Sequence, residues 1–388
     1  MSVTKYHQLS RYVSLPILLL SLSGCQTISG WFGADDTAEK PAALIEFSPT
    51  ATLHGLWQAA AGSAENFVLQ PTQMGDSVYT AARDGQLQRL DASNGRQIWR
   101  IDSGRKLSAG VGAGEGLILV GTEKGEVLAF DIEGRPRWQA QVSSEILSPP
   151  QAASGIVVVR SGDGRIVGLD VADGKRKWVY QRSVPALSLR STAGVVVAQG
   201  AIFAGFAGGK LVALNLANGN VGWEASVAQP RGSTELERVA DVTSLPVIDA
   251  RQICAVAYQG RVACFDIQNG NPIWARDISS SAGLAIDSRN VYISDQRGAV
   301  VALDKASGAS VWKQDKLSAR RLTAPLVRSG HVVVADLQGY VHLLTADSGA
   351  FAARAATDAS VIRAQPTALD NGFLVQTSNG GLFALAIN

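Results

Sequence analysis

Cysteine, methionine and histidine are all scarce in this chain, with three, two and four residues among 388. No two cysteines adjoin, and no histidine or further cysteine is spaced to complete a metal site. The histidines (His7, His54, His331 and His342) form no HxH or HExxH pattern, and no G-x-S-x-G elbow occurs. These absences leave zinc hydrolysis and serine-hydrolase chemistry without their residues. An excess of one charge is missing too. Lys and Arg number 35 against 33 Asp and Glu, and 33 against 33 once Lys5 and Arg11 are set aside, so nothing in the balance calls for nucleic acid. Long helical periodicity is absent. What the chain does have is 40 glycines and many β-branched residues, a composition that reads as all-β with numerous tight turns.

One stretch, Leu90-Asp91-Ala92-Ser93-Asn94-Gly95-Arg96-Gln97-Ile98-Trp99, orders the rest because it recurs. Its echoes run Phe130 to Trp138, Leu169 to Trp178, Leu214 to Trp223, Phe265 to Trp274 and Leu303 to Trp312. In each copy a strand ends on a hydrophobe, Asp or Asn opens a turn, Gly supplies a positive φ, and a second strand begins. The Trp always stands four residues after the Gly. Units of about 40 residues with four strands each predict the blades of a β-propeller. Middle strands from Val78-Tyr79-Thr80 to Phe373-Leu374-Val375 mark eight units. The tryptophans, fixed in place, predict packing between blades rather than ligand stacking. The Gly-rich stretch Gly110 to Gly116 has the wrong spacing for a dinucleotide loop and reads as an inner strand near the propeller axis.

The ends of the array are irregular in a useful way. Unit seven has Ala353 where the Trp is expected, and unit eight stops at Asn388, one strand short. Near the start, Leu53-His54-Gly55-Leu56-Trp57 is a Trp strand with no blade before it. Giving that strand to the last blade as its outer strand closes the ring and leaves no unpaired terminal blade.

Ahead of the repeats, Lys5 and Arg11 precede an apolar run from Tyr12 to Leu22, too short to span a bilayer and laid out as a signal peptide. Leu22-Ser23-Gly24-Cys25 resembles the bacterial lipobox. The resemblance implies cleavage before Cys25, a lipidated sulfur and an acylated new N-terminus; Gln26, in place of Asp, implies delivery to the outer membrane. The expected organisation is a signal peptide over 1–24, a lipidated flexible tether over 25–50 and an eight-bladed propeller over 51–388. Cys254 and Cys264 flank the turn at Gln259-Gly260 and should lie opposite each other on adjacent strands. An oxidising compartment allows a disulfide there, and two buried thiols are the alternative.

Successive tryptophans are 39, 40, 45, 51 and 38 residues apart, so two consecutive connections are stretched. The first holds Pro185-Ala186-Leu187-Ser188-Leu189-Arg190, and the second runs from Gln229 to Asp241. Both follow a Trp strand, and such crossovers emerge on one face of a propeller. Leu187, Leu189 and Arg190, with the acids of the second loop, therefore predict a protein-binding patch built from two neighbouring loops.

The Asp/Asn-x-x-x-Gly-x-x-x-Trp turn resembles the repeat of quinoprotein (PQQ-type) propellers, and the Gly-His and Trp-Asp signatures of WD40 repeats are missing. The quinoprotein resemblance implies an enzyme alternative, a periplasmic quinoprotein-like protein binding a ligand in the channel. The adjacent cysteines that grip the cofactor in those enzymes are lacking here. Lipobox, tether, eight PQQ-like blades and the two loop motifs together resemble the BamB family, lipoproteins of the outer-membrane β-barrel assembly (BAM) machinery. That resemblance covers essentially the whole chain. It implies a non-enzymatic scaffold without a cofactor, held at the outer membrane by Cys25 and facing the periplasm. It also implies binding to the periplasmic POTRA domains of BamA and to other BAM subunits, with unfolded outer-membrane proteins as further clients. The family's contact residues carry over to Leu187, Leu189, Arg190 and Asp241. The family often has a second acid two residues past that Asp; Thr243 stands there, which implies a weaker acidic side to the patch.

Overall fold

The computed structural model describes residues 40–388; the signal peptide, Cys25 and the start of the tether lie outside them. Residues 41–388 form one compact unit. Its strands pair into eight four-stranded antiparallel sheets, each sheet one blade of a closed ring. Blades 1 to 7 use consecutive strands, from 72–102 in blade 1 to 326–356 in blade 7. Within a blade the middle strands are the most apolar and the most buried, as in Ser77–Ala81 and Leu117–Thr122, whose residues are buried throughout. Outer strands such as Gln97–Asp102 alternate between exposed and partly buried positions. Sheets stacked face to face hide both faces of the middle strands, whereas the rim keeps one face wet.

Closure follows the expected route. Leu53–Ala60 pairs with Gly381–Ile387, from Leu53 opposite Ile387 to Ala60 opposite Gly381, and forms the outer strand of blade 8. The chain gap is closed by reciprocal backbone hydrogen bonds, Thr52 N–H to the Asn388 carbonyl at 2.9 Å and Asn388 N–H to that of Thr52 at 3.1 Å.

The repeated Gly and Trp turn out to be two halves of one joint. Each described Trp donates its indole N–H to a carbonyl in the next blade's turn at 2.8–3.1 Å, Trp57 to Ala92 and Trp274 to Lys305 among them. The ring lies on the Gly of that turn: a Cβ added at Gly308 would stand 2.5 Å from Cε3 of Trp274, and its φ is +68°. Gly therefore answers both the turn conformation and the close approach. The joint also accounts for Ala353. In blade 8 the place of the Gly turn is taken by the Thr52–Asn388 gap, so blade 7 has nothing on which to dock a Trp. The N–H groups of Thr50 and Ala51 bond the Ala352 carbonyl there instead.

Two further expectations meet the structure. Leu107–Gly114, carrying the Gly-rich stretch, is the inner strand of blade 2. Cys254 and Cys264 are directly opposed in adjacent strands, 4.0 Å apart at Cα, and joined as a disulfide.

The tether boundary needs correction. Residues 41–50, expected to hang free, lie against blades 6 and 7. Ala42 N–H donates to the Ser318 carbonyl, Arg320 to the Ala42 carbonyl at 2.8 Å and Arg354 to the Ile45 carbonyl at 3.1 Å. Phe47 stacks on Phe351 with ring centroids 5.4 Å apart. Behind these contacts is a buried charge network. Asp336, fully buried, accepts from Arg320 Nε at 2.6 Å and from His342 Nε2 at 2.9 Å, and Arg354 Nε donates to His342 Nδ1 at 3.3 Å.

Candidate functional site

The two stretched crossovers occupy 181–195, between blades 3 and 4, and 227–246, between blades 4 and 5. Being consecutive, they rise side by side on the face that carries every outer-to-inner crossover. The first is fixed at its root, where Arg182 grips Glu224 of the neighbouring blade through both guanidinium nitrogens, at 2.5 and 3.3 Å. That carboxylate holds the Arg182 guanidinium above its ordinary value. Further along, Val184 reaches the Gly164 turn and Pro185 the Gly208 turn, each close enough to meet a Cβ added at the glycine. The loop thus bridges the turns of blades 3 and 4.

Asp241 is not a surface acid. It is 2% exposed. One carboxylate oxygen accepts the Leu189 N–H at 2.7 Å and the other the Gly208 N–H at 3.0 Å. Its own carbonyl accepts the Tyr258 N–H at 2.8 Å. In the free chain the expected partner contact Asp241 is thus committed to the loops themselves. A buried carboxylate satisfied by two backbone amides orders the loops. Thr243 is likewise buried, at 8%.

Arg190 is where the sequence puts it, with its side chain 58% exposed, but it is already engaged. Its Nε and Nη2 donate to the two oxygens of Glu145 at 3.1 and 2.6 Å, and Glu123 lies 3.7 Å away. This bidentate pair holds the Arg190 guanidinium above its ordinary value. An exposed pair of this kind contributes about 0–1 kcal/mol to folding; its consequence is orientation, since it aims the loop.

Leu187 and Leu189 are 44% and 38% exposed, and three aliphatics that sequence reasoning passed over join them: Val184, Leu245 and Leu236. Leu236, at 69%, is the most exposed large hydrophobic residue among those described. It sits on a turn tied by Glu237, whose Oε2 accepts the Ser233 and Thr234 N–H groups at 2.8 and 3.1 Å. The readable signal was a leucine flanked by Glu235 and Glu237 in a loop that no blade requires. The other exposed aliphatics are mostly single residues on outer strands beside a Trp, such as Ile98, Ile273 and Val311. Only the two loops gather several.

The propeller axis was the place to look for chemistry. A cavity of about 350 Å³ there is walled by six blades' crossovers and inner strands, and Arg363 is the only charged residue among the described ones lining it. No carboxylate is among the described residues that line it. Across the described residues no group of His, Cys, Asp or Glu is arranged to hold a metal.

The chain is thus an eight-bladed propeller that presents ordered apolar loops on one face. The family model described as "Outer membrane protein assembly factor BamB" matches residues 83–314 and 299–388. A relative so named from Nitrosomonas eutropha is 49% identical over 98% of this chain and 97% of its own length. The chain belongs to the BamB family. The crystal structure of BamB from Moraxella catarrhalis superposes with a TM-score of 0.80 at 26% identity, covering 86% of this chain and all of that one. The quinohemoprotein alcohol dehydrogenase of Comamonas testosteroni shares the fold, with a TM-score of 0.69 at 14% identity over 86% of this chain and 76% of that one.

Proposed function

We propose that this protein is a non-enzymatic scaffold of outer-membrane protein assembly, anchored by lipid at Cys25 and docked through its two long loops on the periplasmic POTRA domains of BamA. Family membership supports the assembly role. The observation that carries the docking surface is the set of Val184, Leu187, Leu189, Leu236 and Leu245, exposed on loops that Asp241 ties together from below. A pre-ordered apolar surface loses little conformational freedom when a partner covers it. Other BAM subunits and extended clients fit the same picture, the latter by pairing with exposed outer strands.

The anchor and the loops serve one arrangement. The chain reaches the propeller at Ala42, against Ser318 in the crossover between blades 6 and 7, on the same face as the loops. The 15 residues from Gln26 to Lys40 span at most about 50 Å, so Ala42, where the chain joins the propeller, stays within about that distance of the membrane. Cys25→Ser is expected to release the protein from the outer-membrane fraction while leaving its melting curve unchanged; tight fractionation of the variant with that membrane would remove the lipid from the account.

The docking surface gives a second prediction with two readouts. Leu187→Ala should weaken binding to BamA's periplasmic region by about 2 kcal/mol, roughly thirtyfold, and change folding stability by no more than about 0.5 kcal/mol. Asp241→Ala should do otherwise. It removes the acceptor of two part-buried N–H groups, about 1–3 kcal/mol in all, so both stability and binding fall. Equal behaviour of the two variants in melting and calorimetric binding would mean that Asp241 is not what orders the loops.

A further inference from the structure

Beneath the first loop is a cavity of about 260 Å³, walled by the loop's Ser188, Leu189 and Arg190 and by the ends of blades 3 and 4. Two carboxylates line it and both are occupied. Glu145 holds Arg190, and Asp241 holds the backbone amides of Leu189 and Gly208. Arg160, at the end of the strand Ile156–Arg160, lines it as well and is not occupied. No acidic side chain among the described residues pairs with it. Its one hydrogen bond is a long one, from Nη1 to the Gly194 carbonyl at 3.3 Å, and its guanidinium lies over the Phe206 ring at 4.9 Å. Part of its surface is open by area, yet desolvation by the surrounding protein pushes it down to about 10. The opening it keeps is toward the cavity. In the same wall Thr243 Oγ1 is buried with no hydrogen-bond partner.

A buried cation is normally paired, and a buried hydroxyl is normally bonded. Here an unpaired cation faces the void, and an unbonded hydroxyl lies buried in its wall. The space is slightly below that of ordinary small-molecule pockets, which suits a side chain better than a cofactor. A planar guanidinium with free N–H groups matches the two oxygens of a carboxylate. A doubly charged phosphate would need a second cation, and Arg190 is already committed to Glu145.

We propose that this cavity receives one carboxylate, an Asp or Glu side chain or a chain terminus of the protein seated on the two loops, with Arg160 as its charge partner. The inference rests on the docking surface proposed above and assigns the polar group it recognises. Arg160 is then the buried centre of the interface, and the exposed leucines surround the point of entry.

The test uses the full chain and BamA's periplasmic region as the probe. It compares Arg160→Met with Arg160→Lys and Leu187→Ala. Because an unpaired desolvated charge adds nothing to folding, Arg160→Met is expected to melt at or above the parent's temperature and yet bind about tenfold more weakly or worse. Arg160→Lys, keeping the charge but not the fork, should fall between. Should Arg160→Met bind as the parent does while Leu187→Ala binds weakly, the carboxylate site is wrong and the docking surface stands. Unimpaired binding by both variants overturns the two proposals together. A melting temperature well below the parent's, or failure to fold, makes Arg160 structural and also overturns the site. Sodium acetate supplies the last arm. If millimolar acetate stabilises the parent but not Arg160→Met, and partner affinity is the same in both proteins, the pocket serves a free carboxylate and the partner assignment fails.

Discussion

Trp274→Ala is expected to lower the unfolding free energy by about 3–5 kcal/mol, the range for emptying a buried aromatic site. The ring is 7% exposed, its N–H bonds the Lys305 carbonyl at 2.8 Å, and its face rests on Gly308. Because Gly308 is the other half of the joint, Gly308→Ala should be costly as well. An L-residue at that φ costs about 1–2 kcal/mol before any collision with the ring. The two changes should not add. With the ring gone the collision is gone, so the double variant should be less destabilised than the sum by about 1 kcal/mol or more. Denaturant unfolding of the four proteins measures this directly. Additive losses would mean that blades are held by area alone and that the repeated Gly and Trp are independent.

Asp336→Ala should be comparably severe for a different reason. It leaves Arg320, 1% exposed, without its carboxylate, and stranding one member of a buried ion pair costs about 3–5 kcal/mol. The same network sets an acid limit on stability. Burial pushes the His342 imidazole below its ordinary value of 6.5 despite the pull of Asp336. At neutral pH it is therefore uncharged, with Nε2–H directed to Asp336 and Nδ1 accepting from Arg354, an assignment made from the partners. A histidine with a lowered folded pKa binds its proton more readily in the unfolded chain. Its contribution is complete above about 6.5 and declines as pH falls toward the folded value. Burial alone would raise the Asp336 carboxyl, but His342, Tyr340 N–H and Arg320 outweigh it and hold it below its ordinary value. Its contribution is present above the unfolded carboxyl range and is lost as pH falls through its depressed folded pKa. Both groups therefore make acid destabilising. His342→Gln keeps a donor toward Asp336 without a titrating ring, so the parent should lose stability faster than the variant as pH falls below 6.5. Parallel profiles would show that His342 titrates freely.

The network also clasps residues 42–45, and this explains why the tether boundary was misplaced in the sequence. Pro41 to Thr50 has no periodicity of its own, and the groups that bind it, Arg320 and Arg354, stand roughly 280 and 310 positions away in the chain. The blades were legible for the opposite reason. Gly and Trp lie four residues apart in every copy, and the missing last strand stands in plain view at Trp57. The meaning of Ala353 needed the structure, because the reason lies in the next blade. In the loops, the spacing exposed the insertions and the leucines within them. Asp241 looked like any loop acid, since its burial depends on the backbone of Leu189, 52 residues earlier. Arg190 looked free because Glu145 is 45 residues away. Arg160 gave no signal at all: an Arg closing a β run before a Gly turn reads as a solvated strand end.

The central claim is that the two crossovers between blades 3, 4 and 5 are the docking face of a scaffold. Calorimetric titration of BamA's periplasmic region into the Cys25→Ser chain, with and without Leu187→Ala and Arg190→Ala together, tests it most directly. The expected result is saturable binding by the parent, a loss of affinity of roughly thirtyfold or more in the double variant, and superimposable melting curves for the two proteins. Undiminished binding by a folded double variant would place the interface elsewhere on the ring and contradict the account.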